Sequence, residues 1–423
     1  MNRTIILIAA LGLALSCPPL RAASPAPLAS PDASTKAARD LQTWLAVPRA
    51  QRPALSNAPF AAVPLTRADA AAATAALWQD HAAFIRETRA AEMQARVIEL
   101  DGLKMKFAML SFTNAPATNG RSLFLSLHGG GGAPPAVNES QWQNQIRLGK
   151  GYRPAEGLYL APRAPTDAWN LWHQSHIDTF FDRLIENLVV LSNVNPNRVY
   201  VLGYSAGGDG VYQIGPRMAD RWAGAAMMAG HPNDASPLGL RNVPFAIQVG
   251  ANDGGFNRNK VAAEWGRKLD DLQRADPKGY VHFTELHAGK SHWMDLEDHK
   301  AIPWMEKFTR TPLPEKVVWR QSGRTHARFY WLATPKDLAK GGQEIIAERA
   351  GQTISLSAKN AHTVTVLLND ALLDLDQPVL IRAGDATLLQ ARCPRTIATL
   401  ARTLDERGDP NLTFSAEATV TLP

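Results

Sequence analysis

RVYVLGYSAGGDG, residues 198–210, is the stretch on which the fold turns. Its first half, Val199-Tyr200-Val201-Leu202, is a continuous apolar run and reads as a strand buried on both faces. It passes directly into Gly203-Tyr204-Ser205-Ala206-Gly207, and a helix-compatible segment, residues 207–218, follows at once. A turn this tight needs small residues around the serine. It leaves the hydroxyl at the carboxyl end of a strand and the amino end of a helix. There, free N–H groups and the helix dipole favour developing negative charge. Ser205 is the candidate nucleophile, and the Ala206 N–H is one candidate donor to an oxyanion.

Upstream, SLFLSL (residues 122–127) reads as a strand and ends in His128-Gly129-Gly130-Gly131-Gly132. A tetrahedral intermediate needs a second N–H donor from a loop after an earlier strand, and a glycine run lets backbone come close. Gly130 or Gly131 is expected to supply it. No Gly-Lys-Ser/Thr follows, and no G-x-G-x-x-G opens a helix, so a phosphate loop is not indicated.

Downstream, PFAIQVG (residues 244–250) reads as a strand and leads to Ala251-Asn252-Asp253-Gly254. The order expected behind such a serine is acid, then histidine, which makes Asp253 the candidate acid. After a strand at residues 281–286 come His287, His292 and His299. His292, in the Gly-Lys-Ser-His-Trp loop, is the candidate base. His287 touches the strand end and His299 reads as a solvated helix residue. Asp295 and Asp298 fall at a helix start, where acids serve the helix terminus. On this reading His292 takes the Ser205 proton, Asp253 holds the imidazole, and an acyl-enzyme forms and is hydrolysed.

His173, His176 and Asp178 have helical spacing but lack the glutamate of the metalloprotease helix, so no metal and no cofactor are expected. Tyr204, Trp169, Trp172 and Trp293 are the candidate substrate-binding aromatics.

Around this centre, apolar strands alternate with helices from about residue 95 to 312, opening on a hairpin at Asp101-Gly102. That pattern predicts an α/β fold, a mainly parallel sheet with helices on both faces. Residues 38–94 read as an N-terminal helical segment, with helices over 38–48 and 67–94 and Thr66 capping the second, and 24–37 as a flexible Ala/Ser/Pro tether. Residues 313–423 read as a small C-terminal β-sandwich-like domain, with one helix near 396–407.

The chain has 423 residues, 45% apolar and 20% charged, which excludes a disordered or multi-span membrane protein. Lys+Arg 45 against Asp+Glu 39 gives +6, but the charges are interspersed, and no basic patch points to nucleic acid. Residues 1–23 read as a signal peptide: Arg3, an apolar run from Thr4 to Ser16, then cleavage after Ala22 or Ala23. The run is shorter than the roughly 20 residues that span a bilayer. Export to the periplasm or exterior is expected. Lipid attachment at Cys17 is the lesser alternative, because Ala14-Leu15-Ser16 is a poor lipoprotein box. Cys393 is then left without an intramolecular partner. Nothing in the sequence signals an oligomeric state.

Residues 128–132, 203–207, Asp253 and His292, in that order, resemble the α/β-hydrolase superfamily over about residues 95–312. The chain looks most like secreted bacterial esterases grouped with poly(3-hydroxybutyrate) depolymerases and feruloyl or acetylxylan esterases. The resemblance implies a serine hydrolase acting on small or polymeric carboxylic esters. The Ser/Thr-rich linker, binding module and cysteine pairs of the polymer depolymerases are missing from this sequence. Two other readings use the same residues: a serine peptidase of prolyl-oligopeptidase type, and a non-enzymatic envelope binding protein on a hydrolase scaffold.

Overall fold

The computed structural model describes residues 29–112 and 119–423. The signal peptide, Cys17 and the first residues of the expected tether lie outside the described residues.

Helix α1 (Pro31–Ala46) starts inside the stretch read as tether, with a proline in its first turn, where the missing N–H costs nothing. Helix α2 (Arg67–Ala95) begins where expected, with Thr66 accepting from the Asp69 N–H. A hairpin follows, β1 (Val97–Leu100) and β2 (Leu103–Phe112), paired antiparallel.

Next come β3 (Arg121–Leu127), α3 (Pro135–Tyr152), β4 (Gly157–Pro162), α4 (Ser175–Ser192), β5 (Val194–Tyr204) and α5 (Ala206–Arg217). The run closes with β6 (Gly224–Met228), β7 (Phe245–Gly250), α6 (Arg258–Ala275), β8 (His282–His287) and α7 (Ala301–Met305). The eight strands form one sheet in the order β1-β2-β4-β3-β5-β6-β7-β8. From β4 to β8 every pairing is parallel; β1 and β2 are antiparallel additions at one edge.

Strand side chains alternate between two cores, as the period of two requires. On one face Leu123, Leu125, Val199 and Val201 pack with α4, α5 and α6; on the other Phe124, Tyr200 and Leu202 pack with α3 and α7. The sheet is therefore covered on both sides, which satisfies the near-continuous apolar runs read from the sequence.

Two helices differ from expectation. Helix α3 was not foreseen, because its sequence is rich in Asn and Gln and carries Gly149 and Gly151, so its periodicity is faint. The helix whose start was read at Asp295 and Asp298 is only a short 3₁₀ turn, Glu297–Lys300, and the five residues of α7. Pro303 explains this: it is accommodated in the first turn of a new helix, not in the interior of a long one.

The C-terminal part is β-rich. One sheet has the order β16-β15-β13-β12-β9 and the other β10-β11-β14-β17. The strands are β9 (Lys316–Arg320), β10 (Arg328–Phe329), β11 (Leu332–Ala333), β12 (Glu344–Ala350), β13 (Thr353–Lys359), β14 (Thr363–Leu368), β15 (Val379–Ala383), β16 (Ala386–Ala391) and β17 (Ala416–Thr421). Strand β12 was not expected. Strands β10 and β11 are separated at Tyr330, whose φ is +54°. The sheets face each other across one core, and Trp319 of β9 stacks on Phe329 of β10 with ring centroids 5.8 Å apart.

Helix α8 (Ile397–Arg407) does not close that sandwich. It packs with α1 and α2 through Leu41, Leu65, Ala73, Leu77, Ile397 and Leu400. Buried charges tie the C-terminal part to the large sheet: Arg310 to Asp409 at 2.8 Å and Arg407 to Asp220 at 2.6 Å. Cys393 is buried, and burial pushes its thiol up to about 11. Among the described residues no helix is long and apolar enough to cross a membrane.

Candidate active site

Ser205 stands between β5 and α5 with φ 58° and ψ −121°, a conformation non-glycine residues avoid. Its backbone is held from both sides: its N–H donates to Met228 O on β6 (2.9 Å), and its carbonyl accepts from Asp209 N–H in α5 (3.0 Å). The flanking glycines are sterically required. A Cβ on Gly203 would lie 2.3 Å from Gly207 O, and one on Gly207 would lie 2.1 Å from Leu127 O.

Loops after β7 and β8 bring the acid and the imidazole to this turn. His292 Nε2 is 3.0 Å from Ser205 Oγ, and His292 Nδ1 is 2.8 Å from Asp253 Oδ2. Asp253 is buried and accepts from Nδ1–H, which leaves Nε2 as the acceptor facing the hydroxyl. Tyr204 fixes the histidine loop: its hydroxyl donates to His292 O (2.6 Å) and accepts from Met294 N–H (3.1 Å). Burial raises the Tyr204 phenol, so it stays protonated for that bond.

The other sequence candidates lie elsewhere. His287 is buried against Gln248 and Glu297, and His299 is exposed with Nδ1 on Leu296 O. Asp295 pairs with Lys290. Asp298 is buried with the Tyr152 hydroxyl, 2.5 Å away.

The glycine loop runs beside Ser205. Burial pushes His128 down to about 4, so its ring is neutral. Nε2 accepts from Ala164 N–H (3.1 Å), which makes Nδ1–H the donor to Gly129 O (2.6 Å). A planar trans peptide turns the Gly130 N–H the opposite way from Gly129 O. Both Gly129 and Gly130 line the cavity at Ser205. Gly131 N–H is already taken by Asn138 Oδ1 at 3.0 Å. Among the described residues no acceptor takes the Gly130 N–H or the Ala206 N–H. The geometry thus separates the two glycines that the sequence left equal.

A cavity of about 740 Å³ opens over the serine. One wall is α3, through Val137, Gln141, Asn144 and Leu148; Tyr204, Trp293 and Leu296 form another. The sequence reading missed the α3 wall, although positions 137, 141, 144, 148 and 151 follow a 4-3-4-3 helical spacing that marks one face.

Of the three tryptophans expected to meet substrate, Trp293 lines the cavity and is 48% exposed. Trp169 is exposed outside it, lying along Gly131 and Gly132. Trp172 is a correction: it is fully buried, and its indole N–H donates to His128 O (2.9 Å), so it supports the glycine loop from beneath. Asp178, considered above with His173 and His176, is instead bound by Arg217 and by His326 (2.9 Å). Among the described residues no group of three His, Cys, Asp or Glu side chains is placed to hold a metal ion.

No family model matches the chain. It is similar to the "Putative esterase NocK" of Nocardia uniformis subsp. tsuyamanensis, 28% identical over 153 residues. That match covers 34% of this chain and 44% of NocK, less than half of the relative's length. Similar solved structures include a thermostable esterase, with a TM-score of 0.39 at 17% identity over 51% of this chain and 62% of that one. Another is the esterase PE8, with a TM-score of 0.38 at 17% identity over 48% of this chain and 98% of that one. The chain's own strand order and its strand-serine-helix turn make the large sheet an α/β fold, mainly parallel and covered by helices on both faces, with Ser205 at the turn from β5 into α5.

Proposed function

We propose that the protein is a serine hydrolase of carboxylic esters. The observation that carries this is the hydrogen-bonded chain Ser205 Oγ, His292, Asp253, at 3.0 and 2.8 Å, opening on a cavity beside two N–H groups that meet no acceptor among the described residues. In the first step Ser205 Oγ attacks the ester carbonyl carbon and passes its proton to His292 Nε2. The carbonyl oxygen takes the electron pair and lies against Gly130 N–H and Ala206 N–H. Asp253 holds the Nδ1–H tautomer and stabilises the imidazolium. The C–O bond to the alcohol breaks, the alcohol leaves with the proton from His292, and an acyl-Ser205 remains. Water then repeats the sequence and releases the acid.

The test is fluorophosphonate labelling mapped by mass spectrometry, followed by a p-nitrophenyl ester series of graded acyl length. Labelling at Ser205, lost in Ser205→Ala and His292→Ala, together with ester turnover, is the expected result. Folded protein that neither labels nor turns over ester would refute the proposal. Within this class, the resemblance to the poly(3-hydroxybutyrate) depolymerase and feruloyl esterase group sets the next substrates to compare, soluble esters against polymer suspensions.

The same proposal places the enzyme outside the cytoplasm, on the strength of the charged, apolar and small-residue pattern of residues 1–23. N-terminal sequencing of protein from periplasm and culture medium should begin at Ala23 or Ser24. A chain that keeps Met1 in the cytoplasm would overturn it.

A further inference from the structure

We infer that Asn138, on the first turn of α3, is a positioning residue that sets the glycine loop in its oxyanion-binding shape. The inference rests on the reading of Ser205 as nucleophile. Asn138 is fully buried and bonds the loop in both senses. Its Oδ1 accepts from Gly131 N–H (3.0 Å), and its Nδ2 donates to Gly131 O (2.9 Å). Nδ2 also meets Ala133 O at 3.2 Å and Asp167 Oδ1 at 2.9 Å. Three acceptors at one end and one N–H at the other leave a single sensible orientation for the amide. Asp167 is in turn paired with Arg163, so the orienting carboxylate is itself anchored.

This grip falls where the backbone needs it. Gly130 and Gly131 have φ of +108° and +99° in succession, a path open to glycine and costly in entropy to hold. His128 fixes the peptide before Gly130 through Gly129 O, and Asn138 fixes the peptide after it through Gly131 N–H. Gly130 is thus clamped from both sides, with its own N–H left over. The fit is close: a Cβ on Gly130 would lie 2.0 Å from Asn138 Oδ1. Asn138 touches neither Ser205 nor His292 in any hydrogen bond of the structure, so its effect passes through the loop.

Preorganised donors act on the transition state more than on bound substrate, and loss of one such donor lowers kcat by roughly 10²–10³-fold. Loosening a donor without removing it should cost less. The experiment compares the full chain with Asn138→Ala and with Asn138→Asp. The aspartate keeps the size but turns the donor end into an acceptor facing three acceptors. Active sites are titrated by the p-nitrophenyl ester burst, so that misfolded protein is not counted. The expected result is a fall in kcat of about 10–100-fold with KM within about 3-fold, and a parallel loss of affinity for phenylboronic acid, a tetrahedral oxyanion mimic.

A merely structural asparagine would lower the melting temperature and the count of active sites while leaving kcat per site and boronate affinity in place. That outcome in either variant overturns the inference. Should Asn138→Ala not fold, the isosteric Asn138→Asp decides alone. A parent protein that labels at Ser205 but shows no Asn138 effect refutes this inference and spares the function. A parent that neither labels nor turns over ester removes both.

Discussion

The turn at Ser205 should store strain that a single substitution releases. Its φ of 58° and ψ of −121° are held by the Met228 and Asp209 bonds and by Gly203 and Gly207 pressed close on either side, so the backbone has no room to relax. A residue with a Cβ held in such a sparsely populated region costs about 1–3 kcal/mol. Ser205 makes no side-chain capping bond to α5, so removing its side chain forfeits no cap. Ser205→Gly removes the Cβ, and Ser205→Ala keeps it; both lack the hydroxyl that faces His292. Their difference therefore holds the strain and the backbone entropy of glycine, without the hydroxyl's contribution. Against the relief stands the larger unfolded-state entropy of glycine, about 0.4–1 kcal/mol. The balance is about 0–2.6 kcal/mol, centred near 1.3 kcal/mol, in favour of the glycine variant. Guanidinium unfolding of the two variants side by side, at unchanged m, reads it directly as a higher midpoint for Ser205→Gly. Both should be inactive. An alanine variant as stable as the glycine variant, or more stable, would show that the turn is not strained.

Three further outcomes follow from burial. His128 and His173 are both pushed down to about 4 by burial, so each is neutral when folded, whereas the unfolded chain takes up a proton near pH 6.5. Stability should then fall as pH drops from about 6.5 towards 4, by about 1.4 kcal/mol per pH unit for each group, and His173→Gln should remove one group's share of that slope. Gly207→Ala drives a Cβ to 2.1 Å from Leu127 O, backbone that cannot swing away; a loss of about 1–3 kcal/mol with loss of turnover is expected, and an unperturbed melt would contradict it. Asp409→Ala leaves Arg310 and Arg221 buried without their shared carboxylate, and denaturation should show about 3–5 kcal/mol lost; a change below about 1 kcal/mol would mean the pair is not buried in solution.

Much of the site was legible because its chemistry is local. A strand that runs through glycine-flanked Ser205 into a helix, and a glycine loop after an apolar strand, are each written in fewer than about fifteen consecutive residues by turn sterics and strand periodicity. The same holds for the Thr66 cap and the hairpin at Asp101-Gly102, and the order serine, acid, histidine narrowed the partners to a few loop residues.

What depends on distant contacts was not legible. His287 ends β8, and His292, the candidate read from the sequence, lies five residues beyond it. The sequence pointed to His292, but the contacts that hold it there, with Tyr204 bound to His292 O and His287 turned to Gln248, come from the packing of the loop. Trp169, Trp172 and Trp293 look alike in sequence, yet one is exposed outside the cavity, one is buried under the glycine loop and one lines the cavity. Gly130 and Gly131 are interchangeable as letters and differ because Asn138 takes one N–H and not the other. Helix α3 carries too few apolar residues to announce itself, and α1 and α2 find their partner in α8, some three hundred residues on. Backbone geometry is dictated by neighbours in the chain, so sequence alone determined the apolar strands around Ser205, the sharp turn and the candidate nucleophile. Burial and hydrogen-bond ownership are settled between residues far apart in the chain, so tertiary structure alone decided which glycine N–H is left without a partner and which aromatic faces the cavity.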